Sequence, residues 1–491
     1  AGSGAYSSAM PIRQRLAGAL AGAGSGARNR IDNSITASVK NSNGANGLSA
    51  TSGGITIAAS DDSSIRADSG GLAIAVGLSK GNAGAGGVGV SVSLNEIGTQ
   101  RGHKVAALID NSTIVSHGPL SLSAVSTAKI DALGLAGAVA AANSDGKGGK
   151  GMSGALAGAG VETINTISMD IQAEILNDSS ITVNVGDVAV KAEDLSAIDA
   201  VAVAGTISLS NASRGGSGSL AVGISIATNE IDNTVSAAIE KSQATAASGS
   251  VDVVATSDAK IDAVAVAASV SVANAKTTGV SISGGGAAAF NTIAGSTDAE
   301  IINSTVTSDQ GGVSLQAFGE SAISATVAAV ALGIGVSSSG SAGAAAIGVS
   351  VARNRIGFDD DDNKTTSRIR ARTRNSDVKS AAGLTVAATA DQSIDATVVS
   401  ATVAVSAGKN AVGLSGAGSQ TTNRIATTVE ASIDGTATAA GISAGSISVT
   451  ATDSSRIAAT AGAAAVAAAV SGTGSGGALS IAVALAENVI D

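Results

Sequence analysis

The tripeptide Asn-x-Ile recurs eight times in this chain at a nearly constant spacing, and this recurrence restricts the possible folds more than any other feature. Successive asparagines lie 62 to 70 residues apart. A long, regular period is typical of stacked-repeat proteins, in which each unit buries its apolar face only against its neighbours. The asparagines that define the register are Asn29, Asn95, Asn165, Asn229, Asn291, Asn354, Asn423 and Asn488.

A stricter pattern lies inside each repeat. In the first repeat, Ile55 is followed after two positions by Ile57, after four by Ala59 and after ten by Ile65, and the later repeats keep this spacing. Because every step is even, these positions fall on one face of an extended chain, whereas a helix would spread them around its circumference. The pattern therefore predicts β-structure. The isoleucines at the end of the pattern are Ile65, Ile130, Ile198, Ile261, Ile323, Ile394 and Ile457.

The asparagines also give the domain organisation. The chain starts and stops inside a repeat, so we expect it to be a window on a longer protein. The predicted units are residues 1–28 (the end of a truncated repeat), 29–94, 95–164, 165–228, 229–290, 291–353, 354–422 (with an acidic insertion), 423–487, and 488–491 (the start of the next repeat).

Small side chains dominate the composition. The chain has 64 glycines in 491 residues, no tryptophan and only 1% aromatic residues. Alanine and glycine do not favour strands, so their abundance indicates sheets that pack more closely than the usual ~10 Å. Together with the repeats, this predicts an all-β, elongated β-solenoid of about seven ~66-residue repeats. With about three turns per repeat at ~4.8 Å each, the rod would be on the order of 100 Å long.

An antiparallel arrangement is the alternative fold. Ile261–Ala273 and Gly279–Ile293 flank a short polar loop and could pair as a long hairpin. Such hairpins would stack as a meander.

The recurrent asparagines and isoleucines are the predicted structural positions, and we expect the asparagine side chains to form an amide ladder along the stack. Aspartates follow several of the isoleucines (Asp131, Asp199, Asp262 and Asp395) and should lie on a solvated face. The run Asp359–Asp362 lacks the spacing of a known calcium loop and is more typical of an acidic surface loop, although the sequence leaves calcium binding open. A basic cluster from Arg353 to Arg374 flanks this run and is expected to neutralise it.

Catalysis is not predicted. His103 and His117 are the only histidines, and the other repeats have no equivalents. No nucleophile, cofactor or metal motif is present, so we expect no catalytic, cofactor-binding or metal residues. The formal net charge of −10 argues against nucleic-acid binding, and no apolar run is long enough for a membrane span.

The repeat junctions carry a family resemblance. Ile224–Asn233 and Ser480–Asp491 contain an Asn-x-Ile-Asp-like junction after a Gly/Ala/Val-rich strand. The register Gly249–Ala255 followed by Ala259–Ala263 is similar as well. From about Leu16 to Asp491 the chain resembles the repeat region of large bacterial leukotoxin-like filamentous adhesins. The resemblance implies a secreted or cell-surface filament and does not imply an enzyme.

These observations favour a structural segment of an extracellular or cell-surface bacterial filament or adhesin, acting as a stalk, spacer or self-associating fibre. The expected partners are further copies along or between fibres, and a host or neighbouring-cell surface. A repetitive surface that binds glycan or ice is the alternative function. The adhesive target and the handedness of the solenoid do not follow from the sequence.

Overall fold

The computed structural model describes residues 1–9, 16–44, 47–98, 103–147, 151–358, 364, 367–438 and 440–491. The acidic run Asp359–Asp362, with the question of calcium binding, lies outside these residues. Every regular element in the described ranges is a β-strand.

Most strands are either long, with 15 or 16 residues, or short, with three to seven; two strands extend over 25 residues and the first has eight. In chain order they are β1 (Gly2–Ala9), β2 (Leu16–Ile31), β3 (Ile35–Lys40), β4 (Leu48–Ala50), β5 (Ile55–Asp61), β6 (Ser64–Ser79), β7 (Asn82–Ile97), β8 (Lys104–Asp110), β9 (Thr113–Ser116), β10 (Leu120–Ser126), β11 (Lys129–Ser144), β12 (Ser153–Ile167), β13 (Asp170–Leu176), β14 (Ser180–Val183), β15 (Val188–Asp194), β16 (Ala197–Ala212), β17 (Gly216–Glu240), β18 (Gln243–Ala246), β19 (Val251–Ser257), β20 (Lys260–Ala275), β21 (Thr278–Ile302), β22 (Thr305–Ser308), β23 (Val313–Gly319), β24 (Ala322–Ser337), β25 (Ser341–Ile356), β26 (Arg368–Arg374), β27 (Asp377–Ser380), β28 (Leu384–Ala390), β29 (Ser393–Gly408), β30 (Asn410–Ile425), β31 (Thr428–Asp434), β32 (Ile442–Ala444), β33 (Ile447–Asp453), β34 (Arg456–Ser471) and β35 (Gly476–Ile490).

These strands form four parallel sheets. Sheet A has the order β1-β6-β11-β16-β20-β24-β29-β34, and sheet B has β2-β7-β12-β17-β21-β25-β30-β35 with the shorter strands β3, β8, β13, β26 and β31 at its side. Sheet C is β4-β9-β14-β18-β22-β27-β32, and sheet D is β5-β10-β15-β19-β23-β28-β33. From β2 onward the chain passes through sheets B, C, D and A in turn. Stacked parallel sheets of this kind are consistent with the predicted β-solenoid.

The antiparallel alternative is wrong. β20 and β21, which contain Ile261–Ala273 and Gly279–Ile293, do not pair with each other. Each pairs in parallel with its counterparts in the two adjacent repeats, β20 with β16 and β24, and β21 with β17 and β25. Two strands joined by a tight loop therefore lie in different, facing sheets.

The expectation of three turns per repeat is also wrong. Ile198 lies beside Ile130 on one side and Ile261 on the other, so paired strands are a whole repeat apart in sequence. One repeat adds one strand to each sheet, which is ~4.8 Å of height, and the eight strands of sheet A span roughly 34 Å instead of 100 Å. The length of each repeat goes mainly into long strands that run perpendicular to the stacking direction, since 16 residues extend about 53 Å.

The interior has two parts. Where all four sheets meet, large aliphatic side chains form a continuous core. Each sheet contributes to it, for example through Leu120 (sheet D), Ile130 (sheet A), Ile171 (sheet B) and Ile181 (sheet C). Between the long strands of sheets A and B, the buried apolar residues are mainly alanines in small clusters. We call this second part the alanine layer.

Glycine explains how close the two sheets of the alanine layer come. A Cβ at Gly335 in sheet A would overlap the carbonyl oxygen of Gly343 in sheet B, and one at Gly413 would lie 2.9 Å from the carbonyl oxygen of Ala468. Only a residue without a side chain fits where backbone meets backbone. The small side chains therefore have the packing role expected from the composition.

Candidate functional site: buried polar rows

The recurrent asparagines form a single hydrogen-bonded row. They occupy the same register position in sheet B, and each side-chain Nδ2 donates to the Oδ1 of the next asparagine at 2.7–2.8 Å. The six from Asn95 to Asn423 are buried, whereas Asn29 and Asn488 at the two ends are more exposed. A carboxamide carries a donor and an acceptor on one group, so identical residues can satisfy each other along any number of strands.

The predicted isoleucine row lies in sheet A. Its members are in register from Ile65 to Ile457, and those from Ile65 to Ile394 are buried in the aliphatic core. Ile457 is half-buried because no strand covers β34 on its outer side within the described residues. The isoleucines and the asparagines therefore form two parallel rows inside the protein, and each repeat adds one residue to each row.

A serine row was missed by the sequence analysis. After the sheet B strands, the backbone N–H of each serine except the last donates to the Oγ of the equivalent serine in the next repeat at 3.1–3.3 Å. Most of these hydroxyls donate in turn to a backbone carbonyl two residues earlier. The row consists of Ser42, Ser112, Ser179, Ser242, Ser304 and Ser376.

The signal for this row is the residue before the serine. Asn41, Asn111, Asn303 and Asn375 directly precede it and have φ of 46–55°, the left-handed region. Asparagine tolerates this conformation better than most residues. In four of the repeats an Asn-Ser pair therefore marks a tight turn into sheet C.

Serine hydroxyls also connect the two sheets of the alanine layer. Ser208 Oγ in sheet A donates to the carbonyl of Ala155 in sheet B at 2.8 Å, and Ser225 Oγ in sheet B donates to the carbonyl of Ala202 in sheet A at 2.7 Å. These buried donors are satisfied without water. These hydrogen bonds fix the position of sheet A relative to sheet B. The distance between the two sheets leaves no room for large side chains.

An ion-pair cluster lies on the outer side of β21 and β26. Arg368 donates from Nε and Nη2 to the two oxygens of Asp298, both at 3.0 Å. Arg370 and Arg372 reach Glu300 at 2.7 and 2.9 Å. The hydrogen bond with Asp298 raises the pKa of Arg368 further, with burial opposing it. These arginines thus have partners in the preceding repeat, and the predicted neutralisation of Asp359–Asp362 lies outside the described residues.

The aspartates that follow the isoleucines lie on the outer face of sheet A. Lys129 bridges Asp131 and Asp199 at 2.9 Å each, and all three side chains are roughly half-exposed. The hydrogen bonds to these carboxylates raise the pKa of Lys129, with the bond to Asp199 the larger cause. Their position agrees with a solvated face.

One carboxylate is fully inside. Asp194 accepts from the backbone N–H and hydroxyl of Ser196 at 3.1 and 2.6 Å, and from Asn233 Nδ2 at 3.0 Å. Burial raises its pKa, and the hydrogen bonds from Ser196 and Asn233 oppose this. Asn233 Oδ1 also accepts the backbone N–H of Met169 at 2.9 Å. The network joins sheets D and B.

The histidines are not placed together. His103 is buried before β8, and His117 is exposed after β9. Burial lowers the pKa of His103, which favours its neutral form, against the charge of Asp61. Within the described ranges, no group of three His, Cys, Asp or Glu side chains is arranged to hold a metal ion.

Comparison with known proteins gives no relative: no family model, curated protein or solved structure matches the chain. Over the ranges that the structure covers, there is no helix with the length and hydropathy of a membrane span.

Proposed function

We propose that this chain is a segment of a β-solenoid whose role is structural, in a secreted or cell-surface bacterial filament or adhesin. The observation that carries the proposal is the pairing of every long strand with its counterpart one repeat away, which makes each sheet a ladder without interruption along the stack. Such ladders resist extension because the applied force is shared by many backbone hydrogen bonds between neighbouring strands. The resemblance of Ile224–Asn233 and Ser480–Asp491 to filamentous adhesins supports the extracellular placement.

Among structural roles, a self-associating fibre has more support than a simple spacer. Each repeat of about 66 residues adds only ~4.8 Å of height. The stack therefore gains little length for the number of residues that it uses. The same repeat provides two long strands, each with an outward face of about 53 Å. Surface area, more than length, is what this repeat supplies.

The glycan- or ice-binding alternative has less support. A regular binding face of that kind needs rows of exposed hydroxyl or aromatic side chains. The outward rows of sheet B are instead aliphatic, for example Leu156, Ile282 and Leu414.

Location and assembly can be tested in the native cells. Antibodies to the chain should label intact cells in immunogold electron microscopy, and protease added outside should remove the label while a cytoplasmic marker survives. Oriented native material should give a ~4.8 Å meridional reflection along the fibre. Protection of the protein inside intact cells would exclude the proposed location, and a reflection perpendicular to the fibre would exclude this direction of stacking.

A further inference from the structure

The outer face of sheet B is an extended aliphatic surface that no other part of the described chain covers. Rows of Leu, Ile and Val side chains project from the long strands β7, β12, β17, β21, β25, β30 and β35, and most are exposed. Monomeric proteins rarely expose more than a few hundred Å² of contiguous apolar surface. We call this surface the B face.

Two rows of the B face alternate between glycine and a β-branched residue from one repeat to the next. Beginning with glycine in β2, every second strand has glycine and the strands between have Val or Ile. The first row is Gly22, Val88, Gly158, Val222, Gly284, Ile347, Gly416 and Ile481, and the second is Gly24, Val90, Gly160, Ile224, Gly286, Val349, Gly418 and Val483.

The alternation makes ridges and grooves. The ridge side chains are 37–58% exposed. Above Gly160, Gly286 and Gly418 a Cβ would meet nothing within 4 Å, so these positions are open. With strands ~4.8 Å apart, ridges recur about every 9.6 Å, which leaves room between them for one side chain from a facing surface. The glycines are therefore not required by packing inside this molecule.

We propose that the B face binds the B face of a second copy, with the two stacks antiparallel and the ridges of each copy in the grooves of the other. The proposal rests on the structural role proposed above and names the partner and surface. The two copies are related by a two-fold axis that is parallel to the strands and lies between β17 and β21. With this axis, each ridge strand of one copy faces a glycine-containing strand of the other. Ile224 of each copy then enters the groove above Gly286 of the other.

The size and border of the face fit a stable dimer. Three neighbouring rows, those of Leu20, Gly22 and Gly24, extend over eight strands and measure roughly 20 Å by 35 Å. This is about 700 Å² per copy and ~1,400 Å² in total, within the range of specific interfaces. At the bend of sheet B the aliphatic rows give way to charged residues such as Arg28 and Glu96, which pair with each other. A polar rim around an apolar centre is the usual interface arrangement.

The outer face of sheet A lacks this complementarity. From β6 to β34 its central row has an aliphatic residue in every strand, so over these strands two such faces would meet ridge against ridge. The row is Ile74, Val139, Ile207, Val270, Leu332, Val403 and Val466.

The test is sedimentation of the 491-residue chain by analytical ultracentrifugation. The unmodified protein should be dimeric at micromolar concentration. Gly286→Ile fills the groove without meeting other atoms of its own chain. It should raise the dimer Kd at least ~100-fold without changing the circular dichroism spectrum. Gly205→Ile is the matched control, because Gly205 is an equally open position on the outer face of sheet A, and its Kd should be unchanged.

The double variant Ile224→Gly/Gly286→Ile exchanges ridge and groove and should restore the dimer, since the two positions face each other across the axis. A monomeric wild type at ~100 µM, a dimer indifferent to Gly286→Ile, or a double variant that stays monomeric would each overturn the proposal. A monomer that binds lipid vesicles through this face would overturn it as well. None of these results would alter surface labelling or the ~4.8 Å reflection, so the proposed function is tested separately.

Discussion

The side-chain amide of Asn165 donates to Asn229 at 2.8 Å, and the two residues are 64 positions apart in sequence. Asn229 donates in the same way to Asn291. A buried amide in this row has a partner on each side, so its two polar atoms depend on two different repeats.

Replacing Asn229 should therefore be costly. Asn229→Ala leaves Asn165 Nδ2 and Asn291 Oδ1 without partners in a buried row, and we expect a loss of about 2–4 kcal/mol in the free energy of unfolding. Asn488→Ala is the control, because Asn488 is exposed and accepts one bond. Its cost should be below ~1 kcal/mol. Urea denaturation of both variants gives the comparison, and equal costs would contradict a cooperative row.

The isoleucine row gives a packing test. Ile198 is fully buried between equivalent isoleucines, so Ile198→Ala should create a cavity and destabilise by about 3–4 kcal/mol. Ile457→Ala, at a half-buried end position, should cost clearly less. The midpoint of thermal unfolding measures both, and an insensitive Ile198 would show that the core is not packed as described.

Close contact of sheets A and B predicts intolerance of a single methyl group. Gly335→Ala would push a Cβ into the backbone at Gly343, and we expect a loss of about 1–3 kcal/mol. Gly205→Ala lies in the same sheet with open space above it and should be neutral or slightly stabilising. If both variants unfold at the same denaturant concentration, the two sheets are further apart than the structure has them.

The ion-pair cluster should be worth more than an exposed pair. Asp298→Ala removes a nearly buried carboxylate that holds Arg368 in a bidentate contact, and should destabilise by about 2–4 kcal/mol. Asp309→Ala breaks an exposed pair with Lys379 and should cost less than ~1 kcal/mol. Denaturation in low and high salt checks this, with only the Asp309 pair expected to weaken strongly in salt.

Glu174 predicts a pH dependence. Burial raises the pKa of its carboxyl, and a hydrogen bond from Ser236 opposes the shift. A folded-state pKa above the unfolded value means that folding binds a proton, so this group adds stability below its unfolded pKa and the contribution is lost as pH rises through the folded pKa. Glu174→Gln keeps the acceptor and removes the titration. Its unfolding free energy should be higher than that of the wild type at neutral pH and should vary less with pH.

Much of the interior could be read from the sequence because parallel, in-register strands place identical positions next to each other. The asparagine and isoleucine rows follow from their spacing alone. The serine row was available in the same way, but the Asn-Ser pairs are less regular, with Asp178 inserted before Ser179 and Lys241 replacing asparagine. The number of turns within each repeat was not read correctly.

The sequence by itself determined that one unit recurs, that it is extended, and which of its residues face inward, because an even spacing allows no other regular conformation. Only the tertiary structure decided which strands are neighbours. β20 and β21 could pair with each other or with their counterparts, and the alanine layer selects the second arrangement because its small side chains let two sheets face each other at close range. That choice sets the height gained per repeat and leaves the alternating B face on the outside.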